Sequence, residues 1–280
     1  MVDFSRDSFD RFSVSLLSLI SIFCGKFVVS PALALEPLIF EQRETPIAED
    51  RQGEPSNSGT QPSPDMKNAC IGTTERIRAL VPAFIPEEDS ENSARNLPVI
   101  WDFTLEETPT FWFYVPYQAP LTARFSLVDE NSFQLYSDTF SLPDRPGVIG
   151  VNLPTNIVGE DETLLQLDRD YRWQFSVICN PEQPSLDLVV QGWVRRIQSP
   201  DIERDLTDII RSNEPYESLR SIVLNLAREG IWYDSLTAVG TRYFDNPSNE
   251  TLAADWNSLL KSADLQEYSD FPIVLIHSEF

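Results

Sequence analysis

The sequence predicts a mostly β protein with an α-helical C-terminal part. We expect an antiparallel, immunoglobulin-like β-sandwich over residues 70–198, followed by a small bundle of antiparallel helix hairpins over residues 199–265. Between residues 71 and 197, short segments rich in aromatic and β-branched residues alternate with turn residues, without a helical pattern between them. After Ser199-Pro200 the apolar residues recur at helical spacing instead, which marks the change of structure.

The chain begins with a pattern typical of an export leader. Arg6 and Arg11 precede an apolar run over residues 12–24, and Ala32-Leu33-Ala34 supplies an A-x-A cleavage pattern. The run is shorter than the roughly 20 apolar residues that cross a bilayer as a helix. We therefore expect a signal peptide over residues 1–34, cleaved after Ala34, and a periplasmic or secreted protein. An uncleaved anchor is the alternative, and it would be the only attachment to a membrane.

The next segment, residues 35–69, is predicted to be a disordered linker. Residues 41–69 contain no aromatic residue and are rich in Pro, Ser, Gln, Glu and Gly. Such a segment cannot bury enough apolar surface to offset the entropy of ordering its backbone. It would separate the leader from the folded part.

Eight strands are predicted before the helices, at 78–81, 99–105, 111–117, 123–129, 134–142, 148–153, 171–179 and 186–197. The pattern is clearest in the strand over 171–179. Its odd-numbered residues, from Tyr171 to Cys179, are apolar or aromatic, whereas Arg172, Gln174 and Ser176 between them are polar. One dry face and one wet face favour an antiparallel sheet.

Four helices are predicted next. Ser199 can cap the first with Pro200 at its first position, and Gly230 and Pro247 end the second and third. The apolar stripes are Ile202, Leu206, Ile209 and Ile210, then Leu219, Ile222, Val223, Leu226 and Ala227, then Trp232, Leu236, Val239 and Tyr243, and finally Leu252, Trp256, Leu259 and Leu260. Short loops between them favour antiparallel hairpins. Residues 266–280 form the C-terminal tail, in which 271–277 could add an edge strand.

Two cysteines, Cys70 and Cys179, remain once the leader is removed. In an oxidising compartment an isolated pair most simply forms one disulfide, here a possible bridge that would close a long loop. Such a bridge contributes about 4 kcal/mol in the chain-entropy account. Two buried thiols are the alternative.

The aromatic run over residues 111–117 is the most informative local feature. In an extended strand Trp112 and Tyr114 point away from Phe111 and Phe113. One set faces the sandwich core, and the other is either covered by the helical tail or exposed. If exposed, Trp112 and Tyr114, together with Trp232, form a possible surface for sugar rings or for a protein partner.

The composition excludes several chemistries. The chain carries 44 Asp and Glu against 21 Lys and Arg, a net charge of −23, which repels nucleic-acid backbones. It has one histidine, His277, and no Gly-rich phosphate loop, so we expect no cofactor, no metal site and no catalytic set. Carboxylates are the abundant catalytic groups, as in Asp102, Glu106, Asp129 and Glu130, but nothing in the sequence pairs any two of them.

The helical part resembles tetratricopeptide-type repeats. GIWYDSL at 230–236 stands where that family has its interhelix Gly and the start of its second helix, and NPSN at 246–249 resembles its Pro-containing break. Only about one and a half repeats fit, below the three or so that an independent solenoid needs. The helices are therefore expected to cap the sandwich, with a peptide-binding groove as the alternative.

A second resemblance covers most of the mature chain. It rests on IRALVP at 77–82, PTFWFYVPY at 109–117, YRWQFSVICNP at 171–181 and GIWYD at 230–234. In that order these segments are similar to the cyanobacterial domain of unknown function 928. The resemblance implies a cyanobacterial source and export, and it brings no activity, cofactor or catalytic residue.

Together these observations predict an exported, non-catalytic binding or scaffolding module of the periplasm or cell envelope. Its partner would be a protein or a polysaccharide of the envelope, and not nucleic acid. One alternative is a carbohydrate-binding protein that uses exposed aromatic residues. A second is a carboxylate-dependent glycan hydrolase, which would need two carboxyl groups about 5 to 9 Å apart across a sugar.

Overall fold

The structure is a computed structural model that describes residues 35–43, 70, 73, 75–84, 99–154, 163–199 and 214–277. The predicted signal peptide, the linker beyond residue 43 and the helix predicted to begin at Pro200 lie outside these residues. The described part is mostly β with a helical C-terminal part, as predicted.

Ten strands lie in the described ranges. They are β1 (Arg78–Ala79), β2 (Ala83–Phe84), β3 (Val99–Thr104), β4 (Thr110–Val115), β5 (Thr122–Val128), β6 (Gln134–Ser141), β7 (Gly147–Asn152), β8 (Asp170–Ile178), β9 (Leu188–Arg196) and β10 (Ile273–His277). All eight strands predicted from residue alternation are present close to their expected ends, and β10 matches the expected C-terminal strand. The two-residue strand β2 was not predicted.

The strands form two mixed sheets. One has the order β1-β4-β7-β10, and the other has the order β2-β3-β9-β8-β5-β6. The prediction of purely antiparallel sheets is wrong, because β10 pairs with β7 and β3 pairs with β9 in parallel. Each parallel pair joins strands that are far apart in the sequence, so the long connection can return the chain to the end of the sheet from which it started.

The two sheets face each other across an aromatic core. Phe113 of β4 stacks on Phe175 of β8 with ring centroids 4.3 Å apart, and Phe111 contacts Phe125 of β5 at 4.8 Å. In each strand the residues between them point to the opposite face of the sheet, because side chains alternate with a period of two. The core between the sheets therefore contains the residues that the alternation assigned to the dry faces.

Three helices follow in the described residues: α1 (Tyr216–Arg228), α2 (Trp232–Asp245) and α3 (Glu250–Ser262). Gly230 lies between α1 and α2 with φ +66°, a left-handed conformation that favours glycine at the end of a helix. Asn249 caps α3, because its side chain accepts a hydrogen bond from the backbone N–H of Leu252 at 3.1 Å.

The helices cover the second face of β4. Trp112 donates its indole N–H to Thr237 Oγ1 of α2 at 3.1 Å, and its ring packs edge-on against Trp256 of α3 at 5.7 Å. Gly240 permits this approach, since a Cβ there would lie 2.8 Å from the Trp112 ring. The helical cap and the four-stranded sheet therefore share one interior.

The linker prediction is wrong for its first residues. Leu38 and Phe40 are buried, and Phe40 contacts the Trp232 ring at 4.9 Å. The backbone N–H groups of Leu38 and Phe40 donate to Ser258 and Ser262 of α3 at 3.2 and 3.0 Å. The burial of these two side chains and the two hydrogen bonds to α3 together attach the segment to the fold.

Candidate ligand groove

The disulfide predicted between Cys70 and Cys179 is present. It joins residues 109 positions apart, with their Cα atoms 5.0 Å from each other. Cys179 directly follows β8, so the bridge fixes the start of the segment that leads into β1 against the larger sheet. This segment forms one side of the groove described below.

Two of the three predicted surface aromatics are interior residues. Trp112 is 1% exposed under α2 and α3, and Trp232 is fully buried, with its indole N–H donating to the Leu80 carbonyl at 2.7 Å. A ligand surface through Trp112 and Trp232 is therefore wrong. The sequence left open whether the second face of β4 is covered or exposed, and the structure covers it at Trp112 with α2 and α3.

Tyr114 occupies a different position, at the base of a surface groove. Its ring contacts the rings of Tyr268 and Phe271, with centroid distances of 4.8 and 4.4 Å. Tyr114 itself is almost buried, whereas Tyr268 and Phe271 are half-buried. The three rings form one continuous aromatic wall.

The groove has a volume of about 480 Å³ and combines this wall with charged side chains from two chain segments. Its lining consists of Glu75, Arg76, Ile77, Arg78, Tyr114, Glu267, Tyr268 and Phe271. Sequence reasoning singled out Tyr114 alone. The available signal for the rest was a pair of aromatic residues, Tyr268 and Phe271, at a spacing of three in the predicted tail.

Strand pairing and buried anchors position the first segment of the lining. Arg78 pairs with Tyr114 in the antiparallel ladder between β1 and β4, and the Leu80 N–H donates to the Trp112 carbonyl at 2.8 Å. Ile77 is buried in the core beside them. The pairing of β1 with β4 and the burial of Ile77 thus hold residues 75–78 in place. The Cys70–Cys179 disulfide anchors the chain just before them.

The second segment is fixed against α3. Gln266–Tyr268 forms a single 3₁₀ turn, and the preceding Leu265 is buried. The Asn257 side chain of α3 donates from Nδ2 to Ser269 Oγ at 2.8 Å. These contacts hold the Tyr268 and Phe271 rings beside Tyr114 before any ligand is present.

The polar side of the groove is organised around Glu75. The Tyr114 hydroxyl donates to Glu75 Oε2, and the Tyr117 hydroxyl donates to the Glu75 carbonyl at 3.4 Å. Burial, followed by the hydrogen bond with Glu75, raises the pKa of Tyr114. Burial and a hydrogen bond with Glu267 raise the pKa of Tyr268 to about 12, although Arg78 acts in the opposite direction. Both phenols therefore stay protonated near neutral pH and act as donors.

The four carboxylates singled out in the sequence do not form one site, because Asp102 and Glu106 lie near Asp234 whereas Asp129 lies in the β5–β6 turn. Asp102 of β3 is buried, and its side chain reaches the start of α2. It accepts hydrogen bonds from the backbone N–H groups of Phe103 and Trp232 at 2.7 and 3.3 Å. Asp129 accepts from the N–H groups of Asn131 and Phe133 in the β5–β6 turn. Glu106 raises the pKa of buried Asp234, and Glu130 is exposed. These residues cap or shape the chain locally.

The described ranges contain no group of three or more His, Cys, Asp or Glu residues arranged to hold a metal ion. Nor does any helix within them have the length and apolar character needed to cross a membrane.

Fold and groove together define a β-rich domain with a helical cap and a groove of about 480 Å³ beside Tyr114. The chain matches the family model described as Domain of Unknown Function (DUF928) over residues 56–273, and it belongs to that family. No curated protein matches the chain.

Proposed function

We propose that this protein is an exported, non-catalytic binding or scaffolding module of the periplasm or cell envelope, and that the groove beside Tyr114 is its ligand site. The observation that carries the proposal is the aromatic wall of Tyr114, Tyr268 and Phe271, edged by charged side chains. Concave sites with aromatic walls and a few oriented polar groups are the usual form of ligand pockets. The partner is a protein or a polysaccharide of the envelope.

Export is supported by the leader pattern and by the disulfide, which suits an oxidising compartment. A cyanobacterial source rests on the resemblance of the sequence segments. Gly230 between α1 and α2 and Pro247 between α2 and α3 support a tetratricopeptide-like arrangement of helix hairpins. The two facing sheets are compatible with an immunoglobulin-like sandwich.

The groove also favours one alternative function, the glycan hydrolase. Glu75 and Glu267 line the same groove, and two carboxyl groups across a sugar are the minimum that glycoside hydrolysis requires. Glu75 already accepts a hydrogen bond from Tyr114, which supports a positioned carboxylate. Release of reducing ends from envelope glycans, abolished in both Glu75→Gln and Glu267→Gln, would establish the hydrolase and contradict the non-catalytic proposal.

The ligand site is tested by binding to separated polysaccharide and protein fractions of the envelope. We expect Tyr268→Ala to lose binding of the retained fraction, because it removes half of the accessible aromatic wall. Phe133→Ala is the matched control, since Phe133 is 68% exposed on the distant β5–β6 turn. Equal binding by Tyr268→Ala and the wild type, with both folded by circular dichroism, would contradict the groove as the ligand site.

A further inference from the structure

We propose that the groove beside Tyr114 binds uncharged saccharide units of a polysaccharide. This inference rests on the proposed function, because it names the ligand class of the same site. Three properties of the described side chains carry it: an aromatic wall, a mixed set of donors and acceptors, and a local balance of charge.

The aromatic wall offers a flat apolar surface that water reaches. Tyr268 and Phe271 are half-buried and both contact the nearly buried Tyr114, which supports them from the side of the sheet. A sugar ring presents one face of C–H groups, which packs on aromatic rings, while its hydroxyls remain at the edge. The wall is built from rigid side chains already in contact, so binding would cost little additional ordering.

The polar lining matches hydroxyl groups, which both donate and accept hydrogen bonds. Glu75 and Glu267 are acceptors, and Arg76 and Arg78 are donors. The Tyr114 hydroxyl donates to Glu75 and thereby orients that carboxylate. The groove thus offers both donors and acceptors, which sugar hydroxyls require.

Charge distinguishes uncharged sugars from the other polymers. The two glutamates of the lining balance the two arginines, so the groove provides no excess charge of either sign. The whole chain carries a net charge of −23, which repels acidic polysaccharides. A basic peptide would be attracted by the chain at long range but would find no excess negative charge inside the groove.

The experiment measures how much of the protein is retained by defined polymers. The probes are cellulose, dextran and mannan as neutral polymers, alginate and polygalacturonate as acidic ones, and poly-lysine as a basic one, each at low and high salt. We expect retention by at least one neutral polymer, unchanged by salt because no net charge is neutralised on binding. We expect no retention by the acidic polymers at either salt concentration.

Variants place the binding in the groove. Tyr268→Ala should weaken retention about tenfold or more, which corresponds to the loss of an aromatic contact. Tyr268→Phe keeps the ring but removes the hydroxyl, which is a donor in the groove, so it should bind more weakly than the wild type and more tightly than Tyr268→Ala. Phe133→Ala should bind as the wild type does. Retention by a neutral polymer that Tyr268→Ala leaves intact would overturn the inference.

Two further outcomes separate this inference from the proposed function. Retention by alginate or poly-lysine that disappears at high salt and depends on Tyr268 would overturn the uncharged-sugar ligand while leaving the groove as a binding site. If the wild type binds no neutral polymer but binds an envelope protein in a Tyr268-dependent way, the uncharged-sugar ligand is likewise overturned and the groove remains a binding site. If the wild type binds neither a neutral polymer nor an envelope protein through Tyr268, the proposed function is overturned as well.

Discussion

Two regions of this protein bury an aspartate, and they neutralise its charge differently. Between α1 and α3, Asp255 accepts from Arg220 Nε and Nη2 at 2.7 and 2.8 Å and from the Tyr216 hydroxyl at 2.9 Å. At the junction of β3 with α2, Asp234 accepts only neutral donors among its described contacts. These donors are the Leu105 N–H at 3.1 Å and the Thr104 hydroxyl at 3.3 Å.

The electrostatics of the junction follow from this difference. Burial, followed by the negative charge of Glu106, raises the pKa of Asp234 to about 8. Burial also raises the pKa of the neighbouring Asp102, with Asp234 adding to the effect and Arg43 opposing it. Between α1 and α3, the buried Asp255 is thus paired with the positive charge of Arg220. Between β3 and α2, the buried Asp234 instead keeps its proton. The packing of α2 on β3 should therefore depend on pH, because Asp234 is protonated there.

The largest expected effect comes from removing the countercharge. Arg220→Ala leaves Asp255 buried without its cation, which typically costs about 3–5 kcal/mol of stability. Urea unfolding at pH 7 measures the loss, and Lys261→Ala is the control because Lys261 is exposed on α3. A loss below about 1 kcal/mol would mean that the Arg220–Asp255 pair does not secure the helical cap.

The disulfide provides a reference that does not titrate. The Cys70→Ser/Cys179→Ser double variant opens a loop of 109 residues, and we expect it to lose about 4 kcal/mol. This loss should be equal at pH 5 and pH 8, because no protonation equilibrium is involved. Unfolding of the wild type under reducing conditions should reproduce it, and a pH-dependent loss would show that the bridge is coupled to the buried acids.

The substitution Asp234→Asn tests the retained proton at the junction of β3 with α2. In the wild type, Asp234 keeps its proton in the folded state but loses it near pH 4 in the unfolded state. The folded protein therefore binds more protons between about pH 4 and pH 8, and stability contributed by Asp234 falls as pH rises through this window. Asp234→Asn should remove this fall, because the amide mimics the protonated acid.

Asp255→Asn is the contrasting variant, because it leaves Arg220 buried beside a neutral amide. It should lower stability strongly across the same pH range. The measurement is urea unfolding of the wild type and both variants at intervals from pH 4 to pH 8.5. An Asp234→Asn profile parallel to that of the wild type would contradict the retained proton.

The smallest effect concerns the neighbour of Asp234. Glu106 is the next cause after burial of the raised pKa of Asp234. Glu106→Gln should therefore lower that pKa modestly and shift the stability decline to lower pH. Carboxyl carbon chemical shifts of Asp234, followed by NMR through a pH titration, measure the change directly. A pKa of Asp234 that stays constant or rises would exclude Glu106 as a contributor.

Much of the fold was predictable from the sequence, and most of the groove was not. The strand that contains Tyr171, Trp173 and Phe175 follows from alternation, because neighbouring residues on a strand must face opposite sides. The groove needs residues 75–78, Tyr114 and residues 267–271 together, and no local pattern relates these three segments. Only the pairing of β1 with β4 and the packing of the 3₁₀ turn on α3 bring them into contact.

By itself the sequence determined the local elements, the faces that carry apolar side chains and the two cysteines available to pair. It did not determine what packs against each face. Trp112 looked like a possible surface residue because periodicity assigns side chains to faces without saying what covers them. The tertiary structure decided that the helices cover Trp112, that β10 joins β7 in parallel, and that Tyr114 borders a groove. These outcomes depend on contacts between distant segments, whose free energy no single stretch of sequence contains.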